Sequence, residues 1–268
     1  SLWACQVTRR RQPWKIEMRL VPWQELNRWC LPAFGRPLIV SAQLEGGTGA
    51  QFFGLLSENE KARVSRLKNR TVAEGWVIAH GILRLVLGQL LQIAPQKLKF
   101  EENRYQKPFL SYPSNSGISF NISHSGSLLL IGLAREKQIG VDLEVIDAAR
   151  DFSAIAPLVF SPMEQGLLAH SRYPLQDFYA LWTAKEAILK AAGRGFSFPP
   201  RQVQLMIKNT ALTIVNLPVA LSKDSACALV SFQPGKDYAA AVAILNEPSS
   251  DLHIMGISAP HQSCPPVY

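Results

Sequence analysis

Two long stretches of the chain carry apolar residues at helical spacing, and each is followed by short runs of strand character. From Ser57 to Gln92 the pattern is helical, with Ile78, Ile82, Leu85, Leu87 and Leu90 forming one stripe, the spacing of a helix buried along one side. Ser57, with Glu60 three residues on, has the form of a capping box at the start of that region. Strand-like runs follow at 97–102, 117–122 and 127–134. The order then repeats, with helices over 153–169 and 175–192 and strand-like runs at 202–208, 211–216, 226–232 and 238–245. Helix then strands, twice, predicts an α+β fold of two similar halves, each a helix packed on a small antiparallel sheet. The halves show no visible sequence identity, so the reading is architectural. The predicted boundaries are an N-terminal extension at 1–50, a first half at 51–138, a second half at 139–246 and a loose, Pro- and Ser-rich tail at 247–268. A hinge falls near Gln138–Gly140.

Composition narrows the partners. The most apolar run, Ile78 to Ile93, is interrupted by His80, Arg84, Gln89 and Gln92, which favours a buried amphipathic helix over a membrane span. Cys5, Cys30, Cys227 and Cys264 lie far apart with no CxxC pair, a pattern without a disulfide framework or a zinc cluster, read as a reducing, cytoplasmic compartment. Arg9 to Arg11 are followed by no apolar stretch, unlike a secretory signal. The net charge of +8 attracts polyanions, among them phosphorylated cofactors, acidic proteins and nucleic acid. No aromatic RNA-binding motif or zinc-finger spacing supports nucleic acid.

Three clusters carry candidate chemistry. In Gly140-Val141-Asp142-Leu143-Glu144, apolar and acidic residues alternate. A strand with that alternation puts both carboxylates on one face, roughly 6.5 Å apart. Such a pair is either a solvent-facing edge or a site for a hard cation such as Mg²⁺. In Trp182-Thr183-Ala184-Lys185-Glu186-Ala187-Ile188-Leu189-Lys190, the apolar face is formed by Phe178, Leu181, Ala184, Ile188, Leu189 and Ala192, with Lys185 inside it. Glu186 and Lys190 flank that face as an i,i+4 pair. A lysine in an apolar stripe needs a partner, and a phosphate would serve. The third cluster is Phe120-Asn121-Ile122-Ser123-His124-Ser125-Gly126. It reads as a strand ending at a turn, and the absence of a GxSxG elbow argues against a hydrolytic triad. Gly193 and Gly195 follow a helix, so they stop it and form no dinucleotide loop.

The order and spacing of these clusters resemble the 4′-phosphopantetheinyl transferases of the pseudodimeric, surfactin-synthetase-activating type. Gln106-Lys107-Pro108 is similar to the family's GKP element, and Phe160-Ser161-Pro162-Met163-Glu164 to its FSxxE element. The resemblance covers roughly 57–245 and is most specific from 105 to 195. It implies the family's fold, in pseudo-two-fold halves, and transfer of 4′-phosphopantetheine from coenzyme A to a serine of an apo acyl or peptidyl carrier protein. It implies Mg²⁺ held by Asp142, Glu144 and Glu186. Glu186 and Lys185 would be catalytic, Lys185 and Lys190 would neutralise phosphates, and Lys107, Pro108, Ser123 and His124 would contact the nucleotide end. A basic residue that the family uses on the 3′-phosphate aligns with Gly75, leaving Lys61, Arg63, Arg66 and Arg70 as substitutes. A monomer follows from both halves lying in one chain. A coenzyme-A-binding regulator without activity is the alternative.

Overall fold

The computed structural model describes residues 16–18, 37–44, 49–208, 211–223, 226–247 and 254–258. In chain order they form β1 (Ile16–Met18), β2 (Leu38–Gln43), α1 (Gly49–Phe53), α2 (Glu58–Val64), α3 (Arg70–Leu91), β3 (Lys99–Glu102), β4 (Pro108–Tyr112), β5 (Ile118–Ser125) and β6 (Leu128–Arg135). Then follow β7 (Gln138–Val145), α4 (Ala156–Val159), α5 (Pro162–Ala169), α6 (Pro174–Ala191), β8 (Gln204–Lys208), β9 (Ala211–Asn216), β10 (Cys227–Phe232), β11 (Tyr238–Leu245) and β12 (Ile254–Ser258).

The capping box predicted at Ser57 is present: the Ser57 hydroxyl accepts from the Glu60 amide, and the Glu60 carboxylate accepts from the Ser57 amide. The helical region it opens is two helices. α2 ends at Ser65, and Asn69 restarts the chain as α3 by accepting from the Val72 amide, the N-cap use of asparagine. By length and composition alone α3 could cross a membrane, but 61% of its apolar window is buried. It is the core helix of the first half. β2 lies in the stretch expected to be irregular, and β4 was not anticipated, because Pro108 and Pro113 break its strand pattern. The stretch expected as a loose tail contains β12.

The first sheet has the order β1-β12-β2-β6-β5 and the second β10-β11-β7. β2–β6–β5 and β10–β11–β7 are antiparallel throughout, while β12 adds to β2, and β1 to β12, in parallel. Three cores result. α3 buries Val77, Ile78, Ile82 and Leu83 against Val40, Leu129 and Ile131. α6 buries Leu181, Ala184, Ile188 and Leu189 against Ala241 and Ala243. Between the sheets, Ile39, Leu130, Val141, Val230 and Val242 pack face to face.

The two halves match element by element. β2-β6-β5 under α3 corresponds to β7-β11-β10 under α6. Each long helix is preceded by a short one with an S-x-x-E capping box, and each hairpin that follows is entered from a one-turn 3₁₀ helix that begins with proline, after a further turn at Gly195–Ser197 in the second half. The strand registers then pair Val40 with Asp142 and Ala42 with Glu144, since Ile131 opposes Val40 as Ala241 opposes Asp142. The same correspondence on the helices sets Arg84 against Lys185, Leu85 against Glu186 and Gln89 against Lys190.

α6 lies so close to β7 that Gly140 admits no side chain. A Cβ there would sit 2.0 Å from the Ala187 carbonyl oxygen and 2.3 Å from the Ala191 amide nitrogen. Gly140→Ala should therefore destabilise the protein by ~1–3 kcal/mol or more, the range for overpacking. Gly166, on the exposed side of α5, meets nothing within 4 Å, and Gly166→Ala should gain roughly 0.5–1 kcal/mol. Urea unfolding of the two variants tests the close approach; equal midpoints would refute it.

Candidate active site

The site lies where β7, β5 and α6 meet. β7 pairs with β11 along one edge only. Its other edge faces the row Ser119, Asn121, Ser123 and Ser125 of β5. The amides of Val141, Leu143 and Val145 donate to Asn121 Oδ1 at 2.8 Å, Ser123 Oγ at 3.2 Å and Ser125 Oγ at 3.0 Å, and the Ser119 hydroxyl donates to the Lys137 carbonyl. Side chains thus replace a backbone ladder at this junction. Buried amides need partners, and the alternating polar residues of β5 supply them.

On the face of β7 turned toward α6 stand Asp142 and Glu144. Asp142 is 3% exposed. Its Oδ1 accepts from Ser123 Oγ at 3.0 Å and Lys190 Nζ at 2.5 Å, and its buried Oδ2 has no partner. Burial raises the Asp142 pKa, against the opposing pull of Lys190. Glu144 accepts from Ser125 Oγ at 3.1 Å. It borders a cleft lined by Arg150, Phe152, Phe178, Tyr179 and Trp182. Burial, then the charge of Asp142, raises its pKa.

α6 brings Glu186 to the same place. Burial, followed by the charge of Asp142, lifts its pKa from 4.5 to about 7, with Lys190 opposing and Glu144 adding. Lys190 also donates to Ser123 Oγ at 3.2 Å. Asp142, Glu144, Glu186, Lys190 and Ser123, all singled out in the sequence, are therefore neighbours. His124 stands at the surface beside them; partial burial and then the Lys190 charge lower its pKa.

Lys107 sits at the margin. Its ammonium donates to the carbonyls of Ile139 at 3.2 Å and Ala191 at 2.9 Å, tying the start of β7 to the end of α6, and burial lowers its pKa to about 8. Pro108 next to it opens β4. Among the substitutes considered for the 3′-phosphate, Arg63 pairs with Glu102 at 3.1 Å and Lys61 with Glu58 at 2.8 Å.

Lys185 requires a correction. The sequence reading made it a catalytic, phosphate-neutralising lysine, but its side chain is 1% exposed and turned away from the acids. Its ammonium donates to Glu164 Oε2 at 2.7 Å and to the carbonyls of Val159, Pro200 and Val203 at 3.0, 3.1 and 2.6 Å. Those acceptors exceed the three protons available. Its counterpart Arg84 does the same in the first half, donating to Glu60 Oε2 and to the carbonyls of Pro95 and Leu98. In both halves the acceptor is the glutamate of the capping box. The sequence signal for Glu164 was Ser161-x-x-Glu164, the same pattern as Ser57-x-x-Glu60.

A family model described as the 4′-phosphopantetheinyl transferase superfamily matches residues 138–243, and one described as 4′-phosphopantetheinyl transferase, N-terminal, matches 49–136. The 4′-phosphopantetheinyl transferase HetI of Nostoc sp. is 32% identical over 192 residues, 70% of this chain and 78% of that protein. The 4′-phosphopantetheinyl transferase Sfp of Bacillus subtilis is 26% identical over 195 residues, 72% of this chain and 83% of that protein. Among solved structures, the holo-[acyl-carrier-protein] synthase of Neisseria meningitidis matches 41% of this chain and 98% of its own, at 20% identity and a TM-score of 0.36. Two α+β halves matched by these two family models make the chain a two-part transferase. The chain belongs to the 4′-phosphopantetheinyl transferase superfamily, in the type that includes Sfp, and is an enzyme of that class.

Two outcomes follow from the site. Lys185→Met leaves Glu164 buried without its cation and should cost ~3–5 kcal/mol of stability, whereas Lys185→Arg should keep most of it. If Lys185→Met unfolds like the wild type in urea, the scaffold role is wrong. The second concerns pH. Between 4.5 and about 7 the unfolded chain has released the Glu186 proton and the folded protein still holds it. Stability from this group is therefore fully present below pH 4.5 and falls as pH rises through that window. Melting of the protein in chelator should show that decline, and Glu186→Gln should reduce its slope; an unchanged slope would exclude Glu186 as its source.

Proposed function

We propose that the enzyme transfers 4′-phosphopantetheine from coenzyme A to a serine of an apo acyl or peptidyl carrier protein, releasing adenosine 3′,5′-bisphosphate, with Mg²⁺ as cofactor. The observation that carries this reading is the meeting of Asp142, Glu144 and Glu186, all with raised pKa values, beside Lys190. Acids that resist ionisation by burial and by one another are relieved by a cation.

The donor set fits Mg²⁺. Among the described residues no three His, Cys, Asp or Glu side chains form a ready cage. Mg²⁺ needs fewer, because it takes one or two carboxylates and completes its shell with water and substrate phosphates. The unpartnered Oδ2 of Asp142 is an oxygen of the kind it uses. Asp142 and Glu144 would hold it, with Glu186 at its border. When bound, it supplies positive charge at the pyrophosphate.

The chain's own groups do the rest. The carrier serine oxygen attacks the β-phosphorus of coenzyme A, and the bond to the bridging oxygen breaks, leaving the nucleotide with that oxygen. Such a transfer depends on alignment and charge cancellation more than on covalent help. Lys190 contributes charge to the phosphates. Glu186, kept ionised by the neighbouring cation, accepts the serine proton. Ser123 and His124 border the nucleotide end, and Lys107 with Pro108 closes its margin. The net charge of +8 favours encounter with an acidic carrier in a salt-dependent way. Because one chain holds both halves of the site, the active form is a monomer, and the scattered cysteines suit a cytoplasmic enzyme.

Incubation with coenzyme A, Mg²⁺ and a panel of apo carriers, read by intact mass, tests the reading. A carrier should gain the mass of phosphopantetheine. Asp142→Ala should abolish the gain, and Glu186→Gln should slow it by about 10²–10⁴-fold. Coenzyme A binding without transfer to any carrier would instead favour a regulatory relative.

A further inference from the structure

Ser125 of β5 does two things at once. Its hydroxyl oxygen accepts the Val145 amide at 3.0 Å and its proton goes to Glu144 Oε2 at 3.1 Å. Ser123 repeats the arrangement two residues earlier, accepting from the Leu143 amide at 3.2 Å and donating to Asp142 Oδ1 at 3.0 Å. Each serine therefore fixes the backbone of one β7 residue and the carboxylate of the residue before it. The turn that follows packs closely on β7 and is tied to β11. A Cβ on Gly126, whose φ is +55°, would meet Val145 Cγ2 at 2.8 Å, and the Ser127 amide donates to the Tyr238 hydroxyl at 3.3 Å.

The other half is built differently at the matching place. By strand register the counterparts of Asn121 and Ser123 are Val230 and Phe232: Gly132 and Leu130 oppose the first pair as Val242 and Ala240 oppose the second. The counterparts of Asp142 and Glu144 are Val40 and Ala42. Where the acids are absent, so are the hydroxyls, and Val230 packs with Ile39 in the apolar layer between the sheets. In the first half the outer edge of β2 is satisfied by a backbone ladder with β12, so it needs no side-chain partners; at β7 the serine oxygens pair the amides, and their protons are left for the carboxylates. We infer that Ser123 and Ser125 are positioning residues, which aim Asp142 and Glu144 at a shared divalent cation and set that cation's affinity. This rests on the reading of the acids as a cation site.

Ser125 is the sharper test, since it is not among the residues assigned to the nucleotide. Mn²⁺ binding in the presence of coenzyme A, followed by electron paramagnetic resonance, should weaken by about 10–100-fold in Ser125→Ala, the usual effect of removing a group that orients a ligand. Ser125→Thr, which keeps the hydroxyl, should recover most of it. The KM for coenzyme A at saturating metal should stay within twofold of the wild type, a split that general damage to the fold would not give. If Ser125→Ala fails to fold, Ser125→Cys, of similar size with a weak acceptor, is read in its place with the same expectations. Wild-type Mn²⁺ affinity in the serine variant overturns the inference. Asp142→Ala separates the causes: if it loses Mn²⁺ while the serine variant keeps it, only the positioning role falls. If both bind as the wild type does, the cation site itself is misassigned.

Discussion

The outer edge of β7 is the constraint from which the site follows. One edge of this strand is satisfied by β11, and the other is buried against the first half with amides that must be paired. Backbone pairing would have fused the two sheets into one and left no room for side chains at the junction. Asparagine and serine at every second position of β5 solve the problem differently. They reach across, satisfy the amides, and keep the strands far enough apart for hydroxyls to lie between them. The gap is what lets carboxylates occupy a buried strand at all, because hydrogen-bond donors are already there to receive them. Lys190 and Glu186 then arrive from α6, whose closeness to β7 depends on Gly140 lacking a side chain.

Two copies of one architecture in one chain separate scaffold from chemistry without reference to any other protein. The pairs Glu60–Arg84 and Glu164–Lys185 occupy matching places and make matching bonds to a capping serine and to backbone carbonyls. Whatever both halves keep is needed to fold a half. Asp142, Glu144, Glu186 and Lys190 have no charged counterparts; Val40, Ala42, Leu85 and Gln89 stand there instead. That contrast moves Lys185 from the reacting groups to the frame, although it adjoins Glu186 in sequence.

Periodicity made the halves legible. The stripe of α3, the alternation in β7 and the capping box at Ser57 are local patterns, and local patterns survive into the fold. β4 was hidden by prolines at its two ends, and β2 by the irregular sequence around it. The neighbourhood of Asp142, Glu144 and Glu186 was expected from the resemblance of the two motifs, in that order and spacing, to one family, and from neither motif by itself. The partner of Lys185 was missed for the opposite reason. Glu164 is 21 residues away, and no spacing rule connects a helix cap to a lysine on the next helix. The serine row of β5 was visible as Asn-x-Ser-x-Ser, but its meaning depended on which strand lay alongside.

The uncharged junction in the first half also has a consequence for how the gene tolerates change. Val40, Ala42 and Leu85 answer only to packing, so drift among residues of similar size costs little at those codons. Their partners in the second half are charged, and Asp142 among them is hydrogen-bonded to Ser123 and Lys190, so they answer to charge and geometry together. Natural variation should therefore be lopsided, with a permissive half and a guarded half built on the same plan. Four substitutions alone would not rebuild the charged junction in the first half, because the polar row of β5 has no counterpart there and β12 covers the outer edge of β2.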